Sequence, residues 1–219
     1  MACCVRLMHR EDIAQVTEID REAFPSLWPP VNYERELKNQ LAHYIVACDG
    51  EEGVEEPEAE TPLAEKFPSL AARIGYLFNN NRFFGHEAPK SGEQYITGFA
   101  GFWIMAGEAH ITGIAVRVPH RRQGIGELLL ISVIDLATEL NACIVTLEVR
   151  VSNTTAQSLY CKYGFTQAGL RRNYYIDDKE DAVIMSTESI SSAPFQANLQ
   201  QLKQAHSRKW ELALHQIAR

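Results

Sequence analysis

The chain has 219 residues, of which 46% are apolar and 22% are charged, and its formal net charge is -7. This composition predicts one globular domain with appendages and excludes a chain that is disordered throughout. The acidic balance disfavours a general nucleic-acid-binding protein, which needs a basic surface to displace counterions from phosphate. It suits a positively charged substrate such as an amine or a basic peptide.

The cysteines disfavour both a disulfide framework and a zinc site. They are odd in number, scattered and without a CxxC pair: Cys3, Cys4, Cys48, Cys143 and Cys161. This pattern indicates a reducing, cytoplasmic setting and predicts no metal. The start, MACCVRLMHRED, becomes charged too early for the apolar part of a signal peptide. The longest uncharged apolar stretch, Gln94 to Gly107, is shorter than the roughly 18–20 residues that cross a membrane, so we expect no membrane association.

The first 49 residues are predicted to mix strands and helices. CCVRLM is typical of a short strand, and EDIAQVTEIDREAF has apolar residues at helical spacing. The segment PSLWPP ends that helix. A second helix is predicted to begin near Asn32, its N-cap, and to carry Tyr33, Leu37 and Leu41 along one side. HYIVAC is predicted to be the next strand.

Residues 50–93 differ in character from the rest of the chain. GEEGVEEPEAETP is dense in glutamate and nearly lacks bulky apolar residues, so it cannot bury enough surface to offset its ordering entropy. We expect a mobile acidic loop there, with a short helix in FPSLAARIGYLF. A surface insertion between two strands is favoured over a lid that covers a substrate.

The next hundred residues carry the densest patterning. YITGFAGFWIM and AHITGIAVRV are predicted to form a hairpin around the turn AGE. A loop, VPHRRQGIG, leads into an apolar helix, and CIVTLEVR is predicted to be a buried strand. NTTAQSLYCKYGF has an asparagine N-cap and ends at Gly164. TQAGLRRNYYI and AVIMSTESI, joined by a turn at DDKED, complete an α/β (α+β) fold, a mixed sheet of about seven strands with helices on both faces.

The tail, residues 191–219, is predicted to be an amphipathic helix outside the domain formed by residues 1–190. Its apolar stripe, spaced three and four residues apart, consists of Phe195, Leu199, Leu202, His206, Trp210, Ala213 and Ile217. The stripe can pack against the domain or against a partner, including a second copy of the chain in a dimer. We interpret His206 as a structural residue, not as a ligand.

The loop VPHRRQGIGELLL matches neither of the best-known nucleotide-binding loops. Glu127 and Leu128 follow the second glycine, where a Walker A loop needs Lys-Ser/Thr. Leu129 stands where a dinucleotide-binding loop needs its third glycine. A more general anion site remains: backbone N–H groups from Arg121 to Gly126 at a helix N terminus, with guanidinium groups at Arg121 and Arg122.

Four segments in order carry a resemblance: REAFP…WPP, IAVRVPHRRQGIG, LEVRVSNTTAQSLYCKYGF and RRNYYIDDKEDAVIM. The chain resembles the GNAT superfamily of N-acetyltransferases and, within it, the RimI-type ribosomal-protein-alanine N-acetyltransferases. Residues 1–49 and 94–190 follow the element order of that superfamily, while the insertion and the tail lie outside it. The resemblance implies acetyl-CoA as co-substrate, with no metal.

The resemblance also implies which residues hold the coenzyme. The pyrophosphate would bind the loop amides, the pantetheine arm would pair with one strand, and the Asn153 side chain would reach the coenzyme. Glu127 ends the loop, and because its charge would repel phosphate we expect it to point away. The implied loop residues are Arg121, Arg122, Gln123, Gly124, Ile125, Gly126 and Glu127, and the implied strand residues are Ile114, Ala115 and Val116.

The proposed chemistry needs a base for the amine and a donor for the departing sulfur. An N-terminal amine has a pKa of about 7.7–8, so a modest base is enough, whereas a lysine costs more than about 3 kcal/mol to deprotonate. Glu148 is the single acid in an apolar strand, where we expect burial to raise its pKa, and it matches the family's general base. Tyr160 matches the general acid, and we expect it to act mainly as a hydrogen-bond donor to the thiolate.

Residues 171–175 match the segment that such enzymes place near the peptide N terminus: Arg171, Arg172, Asn173, Tyr174 and Tyr175. A polar strand end is an equally good interpretation of these residues.

The leading hypothesis is direct acetyl transfer, in a ternary complex, to the N-terminal alanine of a small-subunit ribosomal protein. Two alternatives stay open: a free small amine or lysine as acceptor, and a coenzyme-binding or ribosome-interacting module without catalysis. The presence of both Glu148 and Tyr160 counts against the second.

Overall fold

The structure is a computed structural model that describes residues 2–25, 29–50 and 94–217. Its centre is one mixed sheet of seven strands in the order β1-β2-β3-β4-β5-β7-β6. Neighbouring strands are antiparallel except β4 and β5, which are parallel. The strands are β1 (Ala2–Leu7), β2 (Ala42–Gly50), β3 (Ile96–Met105), β4 (Glu108–Val116), β5 (Ile144–Arg150), β6 (Phe165–Arg171) and β7 (Ala182–Thr187). The predicted sheet is thereby confirmed.

The helices of the described residues are α1 (Ile13–Ala23), α2 (Tyr33–Glu36), α3 (Ile125–Glu139), α4 (Thr154–Lys162) and α5 (Ala193–Ile217). The second helix is shorter than predicted. Asn32 is its N-cap, and its side chain accepts a hydrogen bond from the Arg35 N–H at 3.0 Å. The helix ends after one turn, and Leu41, at 45% exposure, does not continue a buried stripe. None of these helices is long and apolar enough to cross a membrane.

Two apolar cores lie on the two faces of the sheet. One core joins α1 and α2 to β2, β3 and β4 and includes Val16, Ile19 and Phe99. The other is larger and is built around α3, where Leu129 and Leu130 are fully buried. A two-residue turn, with φ of 52° at Ala106 and 82° at Gly107, joins β3 to β4. Two positive φ values match the twist of a hairpin, as the sequence AGE predicted.

The expectation that the cysteines form no disulfide is wrong. Cys4 on β1 lies directly opposite Cys48 on β2, and the structure joins them in a disulfide with a Cα–Cα distance of 5.3 Å. Spacing along the chain could not show this, because antiparallel pairing brings together residues separated by 44 positions. Cys3, Cys143 and Cys161 are free cysteines.

The tail helix α5 packs against the domain. Leu199 is 2% exposed and belongs to the core beneath α3. The Phe195 ring lies beside Gly164, where an added Cβ would stand 3.2 Å from it. The Lys203 ammonium contacts Asp135 of α3, and His206 is buried. One of the two predicted uses of the stripe is therefore observed. The side chains from Trp210 onward lie outside the described residues. The same holds for residues 51–93 of the segment 50–93, where an acidic loop and a short helix are predicted.

Candidate active site

A gap opens between the two parallel strands at the middle of the sheet. The β4–β5 ladder runs from Glu108 opposite Ile144 to Ile111 opposite Leu147. Beyond that point β4 continues to pair only with β3, and β5 continues to pair only with β7, among the described residues. The strands therefore separate, and each offers backbone groups along one side of the gap. An extended ligand with amide groups can bind such an edge.

The side chains of β5 alternate between the two faces of the sheet. Val145, Leu147 and Val149 are buried in the core beneath α3. The residues between them face the opposite side of the sheet, so Glu148 lies on the face that carries α1 and α2. On that face, these two helices pack on β2, β3 and β4. The Glu148 side chain is nevertheless only 6% exposed, because side chains from neighbouring strands enclose it.

Glu148 holds a cationic partner on each carboxylate oxygen. His110 Nε2 on β4 lies 3.0 Å from Glu148 Oε2, and an Arg171 guanidinium nitrogen lies 3.0 Å from Oε1. His110 Nδ1 lies 3.0 Å from the Thr146 hydroxyl oxygen, and that hydroxyl donates to Glu108. A chain of hydrogen bonds thus runs from the start of β4 to the carboxylate at the gap.

Proton counting along this chain favours a charged His110. The single proton of the Thr146 hydroxyl goes to Glu108, so Nδ1 of His110 must donate to the Thr146 oxygen. Nε2 then donates to Glu148, and the ring carries both protons. In agreement, the hydrogen bond to Glu148 raises the pKa of His110 above its ordinary value, although burial opposes this.

The predicted rise of the Glu148 pKa is wrong in direction. The hydrogen bond from His110 lowers the pKa of Glu148, against burial, and the charges of His110 and Arg171 add to the effect. The prediction assumed a buried carboxylate without partners. Because Glu148 is ionised and paired, the group with a raised pKa is its partner, His110.

Sequence reasoning did not identify His110, Thr146 or Glu108. His110 alternates with buried residues along β4, which is a signal that its side chain leaves the core. Its pairing with Thr146 depends on the parallel register of two strands that a helix separates in the chain. No local pattern encodes that register, so the cluster is visible only in the structure.

The segment predicted to lie near the substrate reaches Glu148 through Arg171. The Arg171 side chain is 54% exposed and packs over the Tyr174 ring, with 5.5 Å between the guanidinium carbon and the ring centre. Arg150 lies 3.9 Å from the centre of the Tyr175 ring and binds carboxylates of the β6–β7 turn. The Asn173 N–H donates to Asp181 at 2.8 Å, while Arg172 is exposed.

Tyr160 projects from α4, half-buried, with its ring 5.6 Å from that of Phe165. Burial, and then the nearby Tyr175 hydroxyl, raise the pKa of Tyr160 to about 12. The Tyr160 hydroxyl has no hydrogen-bond partner among the described residues. Tyr163, by contrast, is 1% exposed and belongs to the core.

The glycine loop presents free N–H groups at the start of α3. Gly124 is the N-cap, with φ of 81°, and Arg122 has φ of 64°. Within the described part of the chain, the backbone N–H groups of residues 122–126 have no acceptor. The Arg121 N–H differs from the others because it donates to the Val118 carbonyl at 3.2 Å. Five of the six predicted amides are thus available to an anion.

Glu127 does not compete for these amides. Its carboxylate accepts hydrogen bonds from Lys162 Nζ at 2.5 Å and from the Tyr163 hydroxyl at 2.8 Å, both on or next to α4. The hydrogen bonds of these two groups lower the pKa of Glu127, although burial opposes the shift. The carboxylate therefore points away from the loop, as predicted.

The remaining predicted coenzyme residues lie on β4 and at the start of α4. Ile114, Ala115 and Val116 lie on β4 beyond the last β4–β5 pair. Neighbouring residues of a strand face opposite edges, so Ala115 and its two neighbours cannot all face the gap. The Val116 carbonyl also accepts a hydrogen bond from Arg121 Nε at 3.0 Å. Asn153 is the N-cap of α4 and accepts from the Ala156 N–H at 3.1 Å.

Comparisons with known proteins agree on one family. The model of the acetyltransferase (GNAT) family matches residues 52–165. A putative [ribosomal protein bS18]-alanine N-acetyltransferase of Bacillus subtilis is 35% identical over 182 residues, 83% of this chain and 92% of that protein. The [ribosomal protein bS18]-alanine N-acetyltransferase of Escherichia coli K12 is 37% identical over 107 residues, 48% of this chain and 71% of that protein.

A solved structure shows the same fold. The crystal structure of the ribosomal-protein-S18-alanine N-acetyltransferase from Escherichia coli aligns with a TM-score of 0.57. The alignment covers 87% of this chain and 97% of that one, at 21% identity.

Proposed function

The chain belongs to the GNAT family of acetyltransferases, and on that premise we propose that it acetylates the N-terminal alanine of a small-subunit ribosomal protein. The acetyl group comes from acetyl-CoA, a thioester, in a ternary complex. The substrate is inferred from the names of the relatives, which share up to 37% identity with this chain. The observation that carries the chemistry is the His110–Glu148 pair at the point where β4 and β5 separate.

The residues at the glycine loop fit the coenzyme. Five unpaired N–H groups at the start of α3 suit a pyrophosphate, because they satisfy its oxygens and the helix dipole favours its charge. The free side of β4 beyond Ile111 suits the amides of the pantetheine arm. The free side of β4 begins where Glu148 lies on the neighbouring strand, so an acetyl group at that end of the pantetheine arm would arrive beside the base.

The His110–Glu148 pair accepts the proton of the amine. When His110 is neutral, the pair has lost one proton and can take one back, with a pKa above the ordinary value of 6.5 for histidine. The α-amine of a peptide has a pKa of about 7.7–8, so donor and acceptor are well matched. Glu148 alone, with a lowered pKa, would be a weak base for this amine.

Arg171 closes Glu148 from solvent in the free protein, because it occupies one carboxylate oxygen. The incoming neutral α-amine can take its place as the hydrogen-bond donor to this oxygen. The Arg171 side chain is more than half exposed, so it can move without disturbing the core. The neutral amine nitrogen then forms a bond to the acetyl carbon, and the bond from that carbon to sulfur breaks, so that the sulfur leaves as a thiolate. One N–H proton of the amine passes to the pair formed by Glu148 and neutral His110.

Tyr160 stabilises the departing thiolate without giving up its proton. A tyrosine with a pKa of about 12 is a much weaker acid than a thiol near 8.5, so complete proton transfer is unfavourable. Its hydroxyl has no partner among the described residues and can donate a hydrogen bond as charge develops on sulfur.

The test is an acetylation assay with Glu148→Gln. Glutamine keeps the size of the side chain but cannot accept a proton, so kcat should fall about 100-fold or more, with little change in KM for acetyl-CoA. Glu188→Gln, at an exposed glutamate just after β7, is the control and should retain full activity. An unchanged kcat in Glu148→Gln would exclude this residue from proton transfer.

The acceptor is tested separately. A peptide that begins with alanine, the same peptide with a blocked N terminus and an internal lysine, and a free diamine are offered at equal concentration. Acetylation of the first alone supports the proposed function. Acetylation of only the lysine or the diamine overturns it, and acetylation of none supports the alternative of a non-catalytic module.

A further inference from the structure

The tail helix α5 touches the glycine loop at one residue. His206 Nε2 lies 3.2 Å from the carbonyl oxygen of Gly124, the N-cap of α3. A carbonyl oxygen can only accept, so Nε2 carries the proton and donates. His206 is 5% exposed, and burial lowers its pKa, which keeps the ring neutral. Helix α5 lies beyond residues 52–165, which the family model matches.

This carbonyl belongs to the peptide group that carries one of the free loop amides. The Gly124 carbonyl and the Ile125 N–H share one planar peptide unit and point in opposite directions. The Gly124 carbonyl accepts from the Leu128 N–H at 2.9 Å as well as from His206. With two donors on its oxygen, the peptide plane is fixed, and the Ile125 N–H is held pointing out of the helix N terminus.

A glycine at this position makes such support necessary. Gly124 adopts φ of 81° and has no side chain that could restrict its backbone. The loop is therefore free to rotate the peptide unless a neighbour holds it. The Leu128 N–H bond belongs to the first turn of α3, so the only restraint in the described residues that comes from another element is the His206 imidazole.

We propose that His206 is a positioning residue for the coenzyme: its Nε2–H holds the Gly124–Ile125 peptide so that the Ile125 N–H faces the pyrophosphate. This inference rests on the proposed function only in taking coenzyme A as the anion, and it makes α5 part of the coenzyme site. Ordering a donor before the ligand arrives raises affinity, because the ligand does not then have to order it.

The experiment measures coenzyme A binding by calorimetry for the full chain and three His206 variants. His206→Leu fills the space without a donor, and His206→Asn keeps a polar group that is too short to reach Gly124. Both should weaken binding about three- to tenfold, the usual worth of one hydrogen bond. His206→Gln places an amide nitrogen close to the position of Nε2 and should bind like the parent chain.

Hydrogen exchange at residues 124–127 of the free proteins should be faster in His206→Leu and His206→Asn than in His206→Gln. The control is Phe195→Leu, which weakens the docking of α5 at Gly164, far along the helix from the loop. It should lower the melting temperature and leave coenzyme binding unchanged. In activity assays KM for acetyl-CoA should rise in His206→Leu, while KM for the peptide and kcat at saturation should not change.

Three outcomes would overturn the inference: parent-like coenzyme binding in His206→Leu, equally weak binding in His206→Gln, or the same loss in Phe195→Leu. If no variant acetylates the peptide but the binding order holds, the proposed function fails and the role of His206 stands. If His206→Leu does not fold, the comparison of His206→Asn with His206→Gln decides.

Discussion

His110 is the residue that makes Glu148 useful as a base at neutral pH. The two side chains share a proton, and the raised pKa of His110 means that the pair is protonated below, and deprotonated above, a pH higher than 6.5. Productive encounter needs both this pair and the substrate amine to be deprotonated. At low pH, log kcat/KM should therefore rise with a slope of two against pH.

His110→Gln removes one of these two titrations. Glutamine can still donate to Glu148, but it does not titrate, so the slope should fall to one, from the amine alone. Steady-state kinetics with the alanine peptide from pH 5.5 to 9 would measure both slopes. A slope of two that survives in His110→Gln would show that the second proton belongs to another group.

Tyr160 and Tyr163 form a natural pair for comparing chemistry with stability. Tyr160→Phe removes a hydroxyl without a partner in the described residues, so the fold should be unaffected, whereas kcat should fall about 10- to 100-fold for lack of a donor to sulfur. Tyr163→Phe removes the hydroxyl that donates to Glu127 and should cost about 1 kcal/mol of unfolding free energy with kcat retained. Urea unfolding and single-turnover rates for both variants give the comparison. A loss of kcat in Tyr163→Phe alone would reverse the assignment.

At the scale of the secondary-structure elements, a substitution in the glycine loop should affect fold stability and coenzyme affinity differently. An added Cβ at Gly126 would have the Val116 side chain as its nearest neighbour, at 3.7 Å, which is an ordinary contact. Alanine is also the better helix former in the first turn of α3. Gly126→Ala should therefore keep or slightly raise the melting temperature. Its coenzyme affinity should fall severalfold, because the methyl group lies where the pyrophosphate must approach the backbone.

The matched comparison for Gly126→Ala is Gly98→Ala on β3. There a Cβ would stand 2.7 Å from the Ala115 carbonyl oxygen, so the strand pair must shift and stability should fall by about 1–3 kcal/mol. Thermal unfolding and calorimetry with coenzyme A distinguish the two variants. Unchanged affinity in Gly126→Ala would place the pyrophosphate elsewhere.

The elements differ in how well sequence predicts them, and the reason is the range of the interactions that define them. Strong periodicity predicts α1, α3 and the β3–β4 hairpin, because each is fixed by its own apolar pattern and turn residues. The predicted continuation of α2 to Leu41 assumes that this side chain is buried, which is a tertiary property, and Leu41 is 45% exposed. The acid Glu148 is identifiable from its strand, but the direction of its pKa shift depends on His110, which reaches it only through the β4–β5 register.

At the scale of the whole molecule, the middle of the sheet and its β1 edge have different roles. The site lies at the middle of the sheet, where β4 and β5 separate. One edge of the sheet is β1, which among the described residues pairs with β2 alone and is joined to it by the Cys4–Cys48 disulfide. Stability at that edge and chemistry at the gap should therefore respond separately to substitution.

Reduction of the disulfide should test this separation. The bridge joins residues 44 positions apart, and the loss of chain entropy on cross-linking such a loop corresponds to about 4 kcal/mol at 25 °C. In urea unfolding, reductant should lower the free energy of unfolding of the parent chain by about 2–4 kcal/mol. The reduced parent chain should then be as stable as Cys48→Ala, whose stability should not depend on reductant. Cys161→Ala, at an exposed free cysteine on α4, should behave like the parent chain.

Because β1 and β2 do not border the gap, kcat should be the same in the oxidised and reduced parent chain. A reductant effect on kcat with no change in unfolding would mean that the edge strand acts on the site and not on stability.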